Sequence, residues 1–139
     1  MKYIGIIGSR KRDSEHDFLC CVDRFLEIYE EGDIIVSGGC PVGGDRFAEI
    51  IAEAYCKEDP VLFPAIWKVN GVLDRGAGFK RNSDIANKSD VLIAMITKDR
   101  NLCKGTMDTV KKVTKMGKLV ILDENEIKSD EHFDVMGMF

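Results

Sequence analysis

An α/β fold, in which a parallel sheet of five strands carries helices on both faces, is what this sequence predicts. Three observations carry the prediction. Apolar runs of strand length alternate with longer segments whose apolar residues recur at three- and four-residue steps. The runs are continuous, as in strands covered on both sides. The intervals are short, which implies right-handed crossovers and hence a parallel sheet between helical layers.

In chain order, Tyr3 to Ile7 reads as a buried strand bounded by Gly8-Ser9. Ser14 to Glu31 follows as a helix with Phe18, Val22, Phe25 and Tyr29 on one face and Gly32 as its stop. Asp33 to Ser37 is the second strand. Beyond the cluster Gly38-Gly39-Cys40-Pro41-Val42-Gly43-Gly44, the positions Phe47, Ile50, Ile51 and Ala54 define a helix closing near Lys57. Val61 to Phe63 is a short third strand before Pro64, and Ala65 to Gly78, gathered around Trp67, reads as a long loop. A helix from Phe79 to Asn87, the central strand Asp90 to Ile96, a helix around Thr106 to Met116 and the strand Lys118 to Leu122 complete the pattern. Residues 1–123 thus form one domain. Residues 124–139 form an acidic tail, either disordered or docking its apolar end, Val135 to Phe139, on a neighbouring subunit.

Composition narrows the function. With 139 residues, 45% hydrophobic and 32% charged, the chain suits one globular domain, and no apolar run approaches the roughly 20 residues of a membrane helix. The amino terminus is too short and too soon charged to be a secretory signal. Five cysteines, odd in number and without CxxC spacing, suggest reduced thiols in a cytoplasmic protein, with neither a disulfide framework nor a structural metal. His16 and His132 lie far apart in the chain, so no metal site and no cofactor is expected. The net charge of −4 weighs against an extended nucleic acid as partner, although one local cationic pocket suffices for a small anionic ligand.

In sheets of this kind ligands lie beyond the carboxyl ends of the strands, so the segments after each strand are the candidates. The first is Gly8-Ser9-Arg10-Lys11-Arg12, where small residues permit close approach and Arg10 is the best-placed cation; a solvated turn is the alternative. The second runs from Ser37 through Gly38, Gly39, Gly43 and Gly44 to Asp45 and Arg46, ahead of a helix whose first amides suit a phosphate. It lacks the P-loop lysine and does not match GxGxxG. Asp45 either caps the helix or bonds a ribose hydroxyl, and the glycines serve either an anion or tight packing. The third, Gly76 to Asn82, places Lys80 and Arg81 in the first turn of a helix, against its dipole, which hints at a bound anion. Trp67 before it stacks on a base or packs in the core. The fourth holds Gly105, Thr106 and Asp108, with Thr106 or Asp108 meeting a sugar, or Thr106 capping the helix.

Ile6-Ile7-Gly8-Ser9-Arg10, Ser37-Gly38-Gly39 with Gly43-Gly44-Asp45-Arg46, Phe63-Pro64-Ala65 with Trp67, and Gly76 to Asn82 together resemble the SLOG superfamily, and within it the small YspA-like proteins. The resemblance runs from Tyr3 to about Leu122. It implies a Rossmann-like fold, a pocket for nucleotides or nucleotide-derived ligands, and self-association into homo-oligomers. A related branch, the LONELY GUY phosphoribohydrolases, uses a GGxGTxxE motif and an arginine. Gly105-Thr106 align with its GT pair and Arg81 with its arginine, but Cys103 replaces a glycine and Thr109 stands at the glutamate. Another relative, DNA-processing protein A, uses the fold to bind single-stranded DNA, against which the acidic balance weighs here. Molybdenum-cofactor binding also occurs in the superfamily, and no residue here singles it out.

The leading expectation is a binder that senses, carries or sequesters a small phosphate-bearing nucleotide. In it, the amides of Gly38, Gly39, Gly43 and Gly44 surround phosphate, while Arg10, Lys80 and Arg81 supply charge. The alternative is a nucleoside-phosphate N-glycosidase or other nucleotide hydrolase, with Arg81 orienting phosphate and Asp45 or Asp108 as the acid.

Overall fold

The computed structural model describes residues 1–40, 42–66, 68–73 and 76–125. Its sheet is parallel throughout, in the order β3 (Val61–Leu62), β2 (Ile34–Ser37), β1 (Tyr3–Gly8), β6 (Val91–Met95), β7 (Leu119–Asp123). The winding reverses between β1 and β6, which pair from Ile4↔Val91 to Gly8↔Met95. That is the topological switch point at which a doubly wound sheet leaves a crevice.

The faces follow from the two-residue period of the strands. Ile4, Ile6, Val91, Ile93 and Met95 meet Cys21 and Phe25 of α1 (Glu15–Ile28) and Phe47, Ala48 and Ile51 of α2 (Gly44–Tyr55). On the other face Ile7, Leu92 and Ala94 meet Ile85 and Ala86 of α3 (Ala77–Lys88) and Val110 and Val113 of α4 (Lys104–Lys115). Sheet and two helical layers make the expected α/β sandwich.

Helix α1 starts with a capping box that the apolar periodicity does not reveal. Ser14 Oγ accepts from Asp17 N at 3.1 Å, and Asp17 Oδ2 accepts from Ser14 N at 3.2 Å. Elsewhere the starts lie earlier in the chain than the apolar faces suggest, because the first turns of α2, α3 and α4 are small or polar. Helix α4 begins at Lys104 after a 3-10 turn over Arg100–Cys103, so Thr106 sits inside its first turn and Cys103 holds the cap position. Thr106 is therefore not the cap.

The region expected to be an irregular loop contains a small antiparallel hairpin, β4 (Lys68–Val69) and β5 (Val72–Leu73). Asn70 (φ 53°) and Gly71 (φ 80°) form its two-residue turn. Asn-Gly is the sequence signal for that left-handed geometry.

Candidate site at the carboxyl edge of the sheet

A cavity of about 450 Å³ opens at the switch point, on the side of the sheet covered by α3 and α4. Each wall comes from a different part of the chain. The end of β1 supplies Gly8, Ser9 and Arg10; the turn after β2 supplies Gly38, Gly39 and Cys40; the chain after β3 supplies Pro64 and Ala65. Helix α2 contributes Asp45, helix α3 contributes Arg81 and Asn82, and the start of α4 contributes Gly105 and Thr106.

Arg81 sits at the centre of the arrangement. Its Nη1 lies 3.5 Å from Gly38 O and 3.9 Å from Asp45 Oδ2, and its Nε donates to Asn82 Oδ1 at 3.1 Å. Asn82 in turn donates to Asp108 Oδ2 at 3.0 Å and to Gly105 O at 3.3 Å. One chain of polar contacts therefore fixes α3 against both the glycine turn and α4. A Cβ on Gly38 would lie 2.6 Å from Arg81 Nη1 and 2.7 Å from Asp45 Oδ2, so any side chain there would have to displace both groups.

Asp45 is buried, and burial raises its pKa above the ordinary carboxylate value. The amide of Cys40, donating to Oδ2 at 3.1 Å, and the Arg81 charge oppose that shift in part. Asp45 does not cap α2, whose cap position is Gly43. Arg10 is exposed at the cavity rim, with no ion-pair partner among the described residues.

Several expected site residues stand elsewhere. Gly43 donates its amide to Asp13 Oδ1 at 2.7 Å, and Arg46 Nε reaches the same oxygen at 3.0 Å. Gly44 packs the start of α2 against β1: a Cβ there would lie 2.3 Å from Gly8 N. The second glycine pair is thus accounted for by packing and by Asp13, and lies off the cavity wall. Ser37 is buried behind the turn, where its hydroxyl contacts Asp45. Lys80 is exposed and does not line the cavity. Lys80 and Arg81 are the fourth and fifth residues of α3, beyond the first turn, which removes the dipole argument made for them.

Asp108, expected as a possible acid, is likewise off the cavity wall. Burial alone would raise its pKa, but hydrogen bonds from Lys112 Nζ at 2.5 Å and from Asn82 bring it below the ordinary value. Thr109 lines the cavity and bonds Gly105 O at 3.4 Å. Trp67 and His132 lie outside the described residues.

Arg12, grouped by sequence with the cationic segment after β1, is fully buried. Its guanidinium donates to Asp17 Oδ1 at 2.6 Å, to Asp123 Oδ1 at 3.1 Å, and to the carbonyls of Ile96 at 3.0 Å and Asp123 at 2.7 Å. It ties the loop behind Arg10 to the ends of β6 and β7, and no sequence period distinguishes it from its exposed neighbours.

Among the described residues no group of three or more His, Cys, Asp or Glu stands ready to hold a metal, and no helix is long and apolar enough to cross a membrane.

Fold and crevice together define a Rossmann-like α/β protein with a cavity at the switch point of its sheet. Among solved structures the chain is similar to DNA processing protein A from Helicobacter pylori, described for its single-stranded DNA binding mode. The TM-score is 0.65 at 19% identity, and the match covers 98% of this chain and 73% of the other. At that identity the likeness shows the fold. No family model and no curated protein matches the sequence.

The neighbour corrects the expectation that weighed against an extended nucleic acid, because the same fold serves a protein described for single-stranded DNA binding. The error lay in using the net charge of the whole chain. Residues 1–122 carry 19 basic and 18 acidic side chains, whereas residues 123–139 carry one and six. The acidity belongs to the carboxyl-terminal segment, and local field at the site decides association.

Proposed function

We propose that the chain binds a phosphate-bearing nucleotide unit in the crevice at the switch point. The observation that carries this reading is the convergence of two guanidinium groups, Arg10 and Arg81, on one cavity of about 450 Å³. That volume lies within the range of small-ligand sites. Supporting it, α4 opens onto the cavity without a side-chain cap, with Gly105 and Thr106 in its first turn. The SLOG-like and YspA-like residue pattern points the same way. All five cysteines are free, in keeping with a reducing, cytoplasmic setting.

A hydrolase is the weaker reading. Thr109 occupies the place of the motif's glutamate, and Asp108 is committed to Asn82 and Lys112. Among the described residues Asp45 is the acid left at the wall, already bonded by the protein.

The nucleotide unit is either free or part of a single strand. The second form is favoured by the fold shared with DNA processing protein A and by the near-neutral domain. Titration calorimetry with a panel of mononucleotides and a short oligothymidylate separates the forms, and chromatography of the recovered ligand tests for turnover. Binding of at least one probe, lost by about 1.5–3 kcal/mol in Arg10→Ala without change in melting temperature, is expected. Failure of every probe to bind, or an Arg10→Ala variant of unchanged affinity, overturns the reading.

A further inference from the structure

The glycine turn after β2 is the place where an anionic ligand group was expected, and the protein has put an anion of its own there. Asp45 reaches from the first turn of α2 into the Ser37–Cys40 turn, where its Oδ2 accepts from Cys40 N at 3.1 Å. The same oxygen faces Arg81 Nη1 at 3.9 Å, and the space is closed so tightly that a Cβ on Gly38 would lie 2.7 Å from it. The amide and guanidinium that a phosphate would use at this end are therefore already turned to a carboxylate.

The charge count of the cavity follows. Among the described residues its charged lining groups are Arg10, Arg81 and Asp45. With Asp45 set against Arg81, one positive charge remains uncompensated among the described residues, that of the exposed Arg10. A carboxylate repels a second ligand anion strongly at this range, because the walls exclude part of the solvent.

We infer that Asp45 is a specificity-determining residue of the proposed nucleotide site: it restricts the crevice to ligands with a single phosphate group, seated at the Arg10 side, and turns the glycine-turn end toward uncharged donors such as sugar hydroxyls. This rests on the nucleotide reading above. A phosphate monoester and the diester of a single strand both satisfy it, whereas a nucleoside polyphosphate brings a charge that meets Asp45.

The test is titration calorimetry of AMP, ADP and ATP against wild type and Asp45→Asn, with a chelator present so that no divalent cation masks the phosphates. In wild type, affinity is expected to stay level or fall from AMP to ATP. In Asp45→Asn the ratio of ATP to AMP affinity is expected to rise by about tenfold or more. Wild type binding ATP tenfold tighter than AMP, or an unchanged ratio in the variant, overturns the inference while leaving nucleotide binding intact. Wild type that binds none of the three overturns the inference, and removes the nucleotide reading as well if the oligothymidylate also fails to bind. Should Asp45→Asn fail to fold, competition on wild type by inorganic phosphate and pyrophosphate decides: pyrophosphate displacing AMP tenfold better than phosphate overturns the inference, and equal displacement supports it.

Discussion

Replacing Arg12 by Met should be among the most damaging single changes in this protein, although Arg12 touches no part of the cavity wall. The guanidinium makes four hydrogen bonds, two of them to the carboxylates of Asp17 and Asp123, and all three side chains are almost completely buried. Methionine fills much of the same volume and supplies no donor. Two carboxylates and two carbonyls would then lie buried without their partner, with Arg24 Nε at 3.6 Å the remaining cation near Asp123. Removing one member of a buried ion pair costs about 3–5 kcal/mol, because the desolvated charge left behind is not repaid. For a domain of this size that is a loss of roughly 10–20 °C in melting temperature. Urea denaturation is the direct assay: the midpoint should fall with an unchanged slope. The double variant Arg12→Met/Asp17→Asn should recover part of the loss, and with Asp17→Asn alone it completes the cycle that gives the coupling between the two side chains. If Arg12→Met lies within about 1 kcal/mol of wild type at equal slope, the network is not holding β6 and β7 to the loop after β1, and the reasoning fails.

Three further outcomes follow from the same kind of accounting. Burial alone would raise the Asp33 carboxyl, but Lys2 Nζ at 2.6 Å and the amides of Lys2 and Glu30 hold it below the ordinary value. Its contribution to stability should therefore be complete above about pH 4 and lost as pH falls through the depressed value. Urea midpoints measured across acid pH should show Asp33→Asn flattening this limb, and an unchanged limb would refute it. Gly44→Ala should destabilise by about 1–3 kcal/mol or more, since the new carbon meets the backbone of Ile7 and Gly8 at 2.3 Å and neither can yield; a melting temperature within error of wild type would contradict the packing. Gly38→Ala displaces Arg81 and Asp45 together, so calorimetry should find ligand affinity lowered by a larger factor than urea melts find for stability. Equal losses in the two measurements would show that the turn serves the fold alone.

The fold was legible because each layer writes its own period into the chain. Strands buried on two faces give unbroken runs such as Val91 to Ile96, and helices buried on one face give the stripe Phe18, Val22, Phe25. Boundaries were less legible, since the first turns of α2, α3 and α4 hold glycine and polar residues with no apolar signature. The hairpin was signalled by Asn70-Gly71, a local cue outweighed by the glycines around it.

What the sequence determined by itself was the alternation of elements, and through chain chirality the sheet edge at which loops gather. It therefore indicated Arg10, Gly38 and Arg81 as neighbours of one crevice. Tertiary structure alone decided which polar groups remain available there. Arg10 and Arg12 are two residues apart and chemically identical, yet one stands at the rim and the other is enclosed by Asp17 and Asp123. Gly38 and Gly43 belong to one glycine-rich segment, yet one borders the cavity and the other gives its amide to Asp13. Partners 30 or 111 positions away in the chain set those fates, because hydrogen bonds and desolvation act through distances in space that no local pattern of residues encodes.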